Sequence, residues 1–472
     1  MSYPVSRRTV LKSAAALCAS GLILPPSAFG AEGRLLVAET RTIEVLGRAA
    51  TVFGLTGAGG IHGLRFDAGE RFDVTLENRT AEVTSIHWHG QVPAPEADGI
   101  TETGYVGAIG AGEARSYDFA ARPGTHWMHS HHGLQEQALM AAPLIVRDAE
   151  AVRADVQEVV VLLQDFSFRS PEEILEGLTG SSTMDHGAGH GTPAPMDHSM
   201  MAMGGMDLND VEFDAYLAND RTLDDPLVVR TERSGRVRLR IINGGASTAF
   251  WLELGENQAT VIAVDGNPVE PIVGSRFPLA QAQRIDLLVD VPAGVVVPVF
   301  AQREGDRART GVILAAPGAE IPKLAGMADV AAGPIYLSLE SRLRSTTPLA
   351  SRAADVRHSV MLGGSMSPYL WSLDDQPWGT RRKLEVSAGQ RVELQFMNHS
   401  MMAHPMHLHG HHFQVVDING QALSGALRDT VLVPAMASVT VAFEADNPGR
   451  WLYHCHNLYH MATGMMSELV YV

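Results

Sequence analysis

The chain has 472 residues, 45% hydrophobic and 19% charged, and its 36 Lys and Arg against 53 Asp and Glu give a formal net charge of −17. That length exceeds what one hydrophobic core serves and predicts about three domains. The acidic balance excludes the basic stripe that a nucleic-acid partner requires and leaves cationic or neutral small molecules as the expected substrates.

At the N-terminus, Ser6-Arg7-Arg8-Thr9-Val10-Leu11-Lys12 precedes an apolar run from Ser13 to Leu24, followed by Ala28-Phe29-Gly30 before Ala31. Paired arginines ahead of a modest apolar segment predict a twin-arginine signal over residues 1–30, and so Tat export of a folded protein to the periplasm. A disordered N-terminus is the competing reading. The apolar run is too short to span a bilayer, so no membrane span is expected. Of the two cysteines, Cys18 lies in this segment and Cys455 near the other end. A mature chain with Cys455 alone forms no intramolecular disulfide.

Residues 31–150, 151–325 and 326–472 read as three successive domains, with boundaries near Val146–Glu150 and Ala315–Gly318. Through all three, short alternating runs such as Arg284 to Val289, Arg391 to Phe396 and Val439 to Phe443 are separated by Pro, Gly, Asn and Asp. The pattern predicts an all-β chain of β-sandwiches. The first and last domains are copies of one unit. Ala68–Asn78 matches Ala388–Asn398 at an offset of 320, which carries His87 onto His407 and His89 onto His409. Pro123–His131 matches Pro448–His456 at an offset of 325. A fainter copy at Gly235–Asn243 has no histidine pair after it and reads as a structural spacer. Within the middle third, segment 179–207 places Met184, His186, His190, Met196, His198, Met200, Met201, Met203 and Met206 in a Gly, Ala and Pro background. Such thioethers and imidazoles suit Cu(I), and a low-complexity linker is the alternative.

Four His-x-His pairs carry the chemistry: His87/His89, His129/His131, His407/His409 and His454/His456. On a strand, i and i+2 share a face about 6.5–7 Å apart, so each pair presents two imidazoles to one cluster. Eight imidazoles suit three metal ions at an interface between the first and last domains. Cys455 looks away from His454 and His456 in an extended strand and serves a different site. A thiolate with imidazoles and a distant thioether is a blue-copper ligand set.

The motifs His-Trp-His-Gly (87–90), His-Trp-Met-His-Ser-His (126–131), His-Pro-Met-His-Leu-His-Gly (404–410) and His-Cys-His-x3-His-x4-Met (454–465) resemble those of three-domain multicopper oxidases. The likeness is strongest to bacterial laccase-like enzymes of copper resistance and extends to manganese-oxidising relatives. It implies three cupredoxin-like Greek-key sandwiches and four copper ions: one type 1, one type 2 and a binuclear type 3 pair. It assigns His404, Cys455, His460 and the axial Met465 to the type 1 ion, His87 and His407 to type 2, and His89, His129, His131, His409, His454 and His456 to the type 3 pair. Asp98, eleven residues after His87, matches an aspartate that the family places near the trinuclear cluster as a proton shuttle; an ordinary turn role before Gly99 is the alternative. Met465, where many fungal laccases have Leu or Phe, implies a comparatively low type 1 potential.

Two positions depart from the family. Met461 stands where many bacterial members carry an acid directly after the last blue-copper histidine. Ser400 stands where cuprous oxidases have an Asp, although Met401 and Met402 match methionines found there. His126, His132, His411 and His412 adjoin ligands and read as supporting or packing residues. The expected function is one-electron oxidation of a reducing substrate, Cu(I) ahead of phenols or Mn(II), with electrons passing through Cys455 to His454 and His456 for reduction of dioxygen to water. A copper-storage protein without turnover and a metal-free relative of the same fold are the competing readings. Oligomeric state is not legible.

Overall fold

The computed structural model describes residues 33–154, 156–180, 208–232 and 235–472. The expected export signal and residues 181–207 of the Met/His-rich segment lie outside the described residues. Arg34–Val472 form one compact unit.

Strands come from alternation. Arg71–Asn78 buries every second side chain, Phe72, Val74, Leu76 and Asn78, and its copy Arg391–Asn398 buries Val392, Leu394, Phe396 and Asn398. Period-two burial of this kind gives each sheet one apolar face, and two such faces close a sandwich. The described strands form six sheets in three sequential pairs. The first pair runs from Arg34–Val45 to Ala141–Val146 and the second from Gln157–Phe166 to Arg309–Ala315. The third pair runs from Val356–Met366 to Met466–Tyr471. These are three cupredoxin-like β-sandwiches. Among the described residues α-helices are few and short: Ala149–Ala154, Pro171–Thr179 and Leu458–Ala462. No helix among the described residues is long and apolar enough to cross a membrane.

Register preserves the sequence repeat. Ile86–His87 pairs antiparallel with Gly124–Ser130, setting Ile86 opposite Ser130 and His87 opposite His129. His404–Leu408 pairs antiparallel with Arg450–Cys455, setting Met406 opposite Cys455 and His407 opposite His454. The turn leading into each pair is also shared. Asn78 Nδ2 donates to Glu82 O at 2.7 Å and Asn398 Nδ2 to Met402 O at 2.7 Å, while Thr80 Oγ1 and Ser400 Oγ each donate to their Asn Oδ1 at 2.8 Å. A third Asn, Asn243, closes the matching turn of the middle sandwich through Thr248 O and Leu279 O.

The histidine pairs differ from the expectation in one respect. Each first member lies within its strand and each second member just past it, because the strands end at His87, Ser130, Leu408 and Cys455. The chain then turns; Gly90 has φ +89° and a Cβ there would fall 2.3 Å from His126 Nδ1. The rings of each pair still lie 4.7–6.1 Å apart, so they stay on one side. His460 is on no strand: Asn457 caps the helix Leu458–Ala462 that carries it.

Candidate metal centres

All twelve side chains expected to hold metal are buried. His404, Cys455 and His460 converge, with His404 Nδ1 3.1 Å from His460 Nδ1 and Cys455 Sγ 3.6 Å from each. The opposite nitrogen of each imidazole has a polar neighbour: His404 Nε2 lies 2.7 Å from Ser400 Oγ, a hydrogen bond, and His460 Nε2 lies 3.0 Å from the Asp210 carboxylate, at ion-pair distance. Trp371 lies against His460 with ring centroids 4.0 Å apart. Met465 follows; its carbonyl accepts from Cys455 N at 3.0 Å and its own N–H donates to His460 O at 3.0 Å.

On the side away from that site, the eight paired histidines gather in one cluster. His87 Nε2 lies 3.4 Å from His407 Nε2, and His409 Nε2 lies 3.0 Å from His454 Nε2. His89, His129 and His456 group with ring centroids 5.0–5.7 Å apart, and His131, His409 and His454 at 5.2–5.3 Å. Outer nitrogens are anchored. His407 Nδ1 donates to Asp429 O at 2.8 Å and His454 Nδ1 to Cys455 O at 3.0 Å. His409 Nδ1 lies 2.9 Å from Asp98 Oδ2, His129 Nδ1 2.7 Å from Glu136 Oε2, and His131 Nδ1 3.4 Å from Glu102 Oε1. His89 is turned over, with Nε2 held by Asp429 Oδ1 at 3.1 Å. Inner nitrogens are not satisfied by protein: His89 Nδ1, His129 Nε2, His131 Nε2 and His456 Nε2 are buried without a hydrogen-bond partner. A buried polar atom without a partner costs about 1–3 kcal/mol, so four gathered within the histidine cluster mark a place for another ligand.

The protonation states agree. Burial holds His89, His129, His404, His407, His409 and His454 well below the usual imidazole range and His456 at about 3, which leaves neutral nitrogens free to donate lone pairs. His131 departs: burial lowers it, but the Glu102 carboxylate, with Asp98 and a backbone hydrogen bond adding to it, makes the net shift upward. Glu102, raised by burial, is brought down to about 2 by His131. Burial pushes the Cys455 thiol up, so in the metal-free chain it is protonated.

Asp98 lies between two pairs: its backbone O is 3.2 Å from His87 Nδ1, with Oδ1 at 3.3 Å, and its Oδ2 is 2.9 Å from His409 Nδ1. Gly99 makes this approach possible, since φ is +84° and a Cβ would fall 1.8 Å from Ile86 O. Sequence reading did not single out Asp429, Glu102, Glu136, Asp210 or Arg284. Asp429 anchors His89 and is gripped by Arg284 at 2.6 and 2.5 Å, which holds its carboxyl far down against the opposing effect of burial. Arg284 and Asp210 come from the middle sandwich, which is therefore more than the expected spacer. Met461 lines a cavity of about 510 Å³ with Glu102, His131, Trp378 and Met466. Of the neighbouring histidines, His411 Nε2 pairs with Tyr471 OH at 2.6 Å and His412 Nε2 with Gly90 O at 2.9 Å, both supporting contacts.

Sequence models of the multicopper oxidase family match residues 38–151, 158–301 and 353–472. The chain belongs to the multicopper oxidase family. It is 33% identical over 416 residues to multicopper oxidase MmcO of Mycobacterium tuberculosis, covering 87% of this chain and 81% of that one. It is 27% identical over 540 residues to copper resistance protein A of Escherichia coli, covering 87% and 88%. Among solved structures, Fet3p, a multicopper oxidase that functions in iron import, shares the fold at TM-score 0.74 and 19% identity, over 93% of this chain and 90% of that one. Like other multicopper oxidases, this is a copper-dependent oxidoreductase with dioxygen as electron acceptor, and the neutral, inward-facing donor set fits copper.

Proposed function

We propose that the chain oxidises Cu(I) in the periplasm and that copper tolerance is the outcome, with phenols and Mn(II) as lesser reductants. The observation that carries the reading is Cys455, whose Sγ faces His404 and His460 while its neighbours His454 and His456 face the other six histidines. In this reading His404, Cys455, His460 and Met465 hold the type 1 ion, and His87 and His407 hold type 2. His89, His129 and His456 hold one member of the type 3 pair, and His131, His409 and His454 the other. Four bound copper ions would supply one-electron oxidation at the first site and four-electron reduction of dioxygen to water at the second.

The chain's own groups do the rest. Ser400 and Asp210 fix the two type 1 imidazoles through their outer nitrogens, so both inner nitrogens stay aimed at Cys455. Asp98 orients His87 and His409 at once and stands within reach to pass protons toward reduced oxygen. Cu(I) as substrate is supported by the copper resistance relatives and by the thioethers and imidazoles of segment 179–207. Residues 1–30 as a Tat signal give the location, and 31–150, 151–325 and 326–472 are the domains of this reading.

The test is expression of the mature chain with copper, followed by absorption and oxygen uptake with Cu(I), Mn(II) and a phenol. A blue band lost in Cys455→Ser and fastest uptake with Cu(I) are expected. Copper bound without oxygen uptake on any reductant would instead establish storage. Deleting 179–207 should slow Cu(I) oxidation more than phenol oxidation; equal losses would remove the segment from substrate capture.

A further inference from the structure

We propose that Glu136 is a positioning residue of the type 3 pair, a carboxyl group that backs His129 beside His456 where the first and last sandwiches meet. The inference rests on the ligand assignment above and deepens it. Glu136 Oε2 lies 2.7 Å from His129 Nδ1, which Ser130 O also faces at 3.1 Å, while Oε1 lies 3.8 Å from His456 Nδ1, beyond a hydrogen bond. Those two imidazoles come from different sandwiches yet flank one metal position together with His89.

The carboxyl group is not required by its own turn. Ser130 N donates to Met140 O at 2.8 Å and Met140 N to Gln135 O at 3.0 Å; in the other copy Cys455 N donates to Met465 O and Met465 N to His460 O, each at 3.0 Å. Glu136 and Met461 therefore occupy one position of the same turn, and a thioether serves there equally well. Other neighbours do not explain it either. Glu136 Oε1 has no hydrogen-bond partner. Its acidic neighbour Asp165 is already filled by Ala246 N, Ser247 N, Thr248 Oγ1 and Gln137 Nε2 and repels it. A carboxyl group is buried at a cost unless something answers it, and the group that does is the His129 imidazole, 2.7 Å from Oε2. An imidazole that donates one N–H to a fixed acceptor keeps its other nitrogen aimed at the metal. Both His129 Nε2 and His456 Nε2 are the buried, unpartnered atoms of these rings.

The experiment strips copper from the wild-type chain, Glu136→Ala and Glu136→Gln with a chelator, titrates copper back, and reads copper per chain, the near-ultraviolet absorption of the coupled pair, and paramagnetic copper by EPR. The blue band of the Cys455 site in the same sample reports that each chain is folded. Glu136→Ala is expected to bind the pair about 10- to 100-fold more weakly and to show uncoupled, EPR-visible copper beside an unchanged blue band. Glu136→Gln, whose amide oxygen still accepts from His129 Nδ1, is expected to recover most of the loss. A Glu136→Ala chain that reloads like wild type overturns the proposal, as does equal damage in both variants with the blue band intact. A wild-type chain that takes up no copper sinks the ligand assignment itself.

Discussion

Ser130 occupies in the first sandwich the place that Cys455 occupies in the last. Each sits between two buried histidines and opposite the strand that carries the next pair, and each donates its backbone N–H to the carbonyl of a methionine ten residues on, Met140 or Met465. The same offsets carry His404 onto Thr84 and His460 onto Gln135. Thr84 Oγ1 and Ser130 Oγ each donate to Gln135 Oε1 at 2.8 Å, and Met140 is fully buried beside them. The first sandwich thus keeps the frame of the type 1 site with hard, mutually satisfied oxygens where the last has soft donors.

The equivalence predicts an exchange. In a colourless Cys455→Ser chain, adding Thr84→His, Ser130→Cys and Gln135→His restores a thiolate, two imidazoles and a thioether at matching positions, a blue-copper set. One more bound copper and a recovered blue band are the expected results. A folded variant that keeps its trinuclear copper but stays colourless would show that the two frames are not interchangeable.

Arg284 predicts a large loss of stability. It is fully buried, donates to Asp429 at 2.6 and 2.5 Å and to the carbonyls of Thr125 and Ala282, and so joins residues of all three sandwiches. Arg284→Ala leaves the buried carboxylate of Asp429 without its cation, at about 3–5 kcal/mol. Arg284→Lys should rescue little, because a single ammonium cannot reproduce the two parallel bonds. Denaturant unfolding of metal-free chains checks both; near-wild-type midpoints would count against the fork.

These two cases separate what a sequence exposes from what it hides. The four pairs and Cys455 are legible because each lies in a local motif repeated at a fixed offset, whereas Asp98 has no counterpart in the other copy and is legible only through the family resemblance. Strand alternation likewise gives the sandwiches away through runs such as Arg391 to Phe396. Asp429, Arg284 and Asp210 sit in no such motif. His89 meets Asp429 across 340 residues of chain and Asp210 meets His460 across 250, contacts that only the packed sandwiches create. Glu136 had a faint signal, a carboxylate at the repeat position of Met461. Strand ends are less legible: an extended His454–His456 follows from alternation alone, but the Asn457 cap turns the chain so that the strand ends at Cys455.

Asp210 predicts a tuned potential. Its Oδ2 lies 3.0 Å from His460 Nε2 and accepts from Asn457 Nδ2 at 2.6 Å, all in a buried setting. A carboxylate behind a metal-bound imidazole strengthens the ligand and favours the more highly charged, oxidised ion. Asp210→Asn should therefore raise the potential of the blue site while leaving its band in place. A redox titration that follows the blue absorption decides it, and a lowered or unchanged potential would refute the carboxylate's part.

Glu304 predicts a pH-dependent stability that is independent of metal. It is buried in the middle sandwich, where Ile335 N donates to Oε1 at 2.5 Å, and burial nevertheless raises its carboxyl from 4.5 to about 7. Below the unfolded value both states hold the proton and no difference arises. Between about 4.5 and about 7 the folded carboxyl keeps a proton that the unfolded chain has released, so stability falls as pH rises through this window, by about 3 kcal/mol in all. Above it the loss is constant. Glu304→Gln keeps an acceptor for Ile335 N–H but has no proton to give up, so its metal-free stability should match wild type near pH 4.5 and exceed it at pH 8. Melting temperatures of the two metal-free chains across that range measure the gap, and a gap that stays flat with pH would place the titrating group elsewhere.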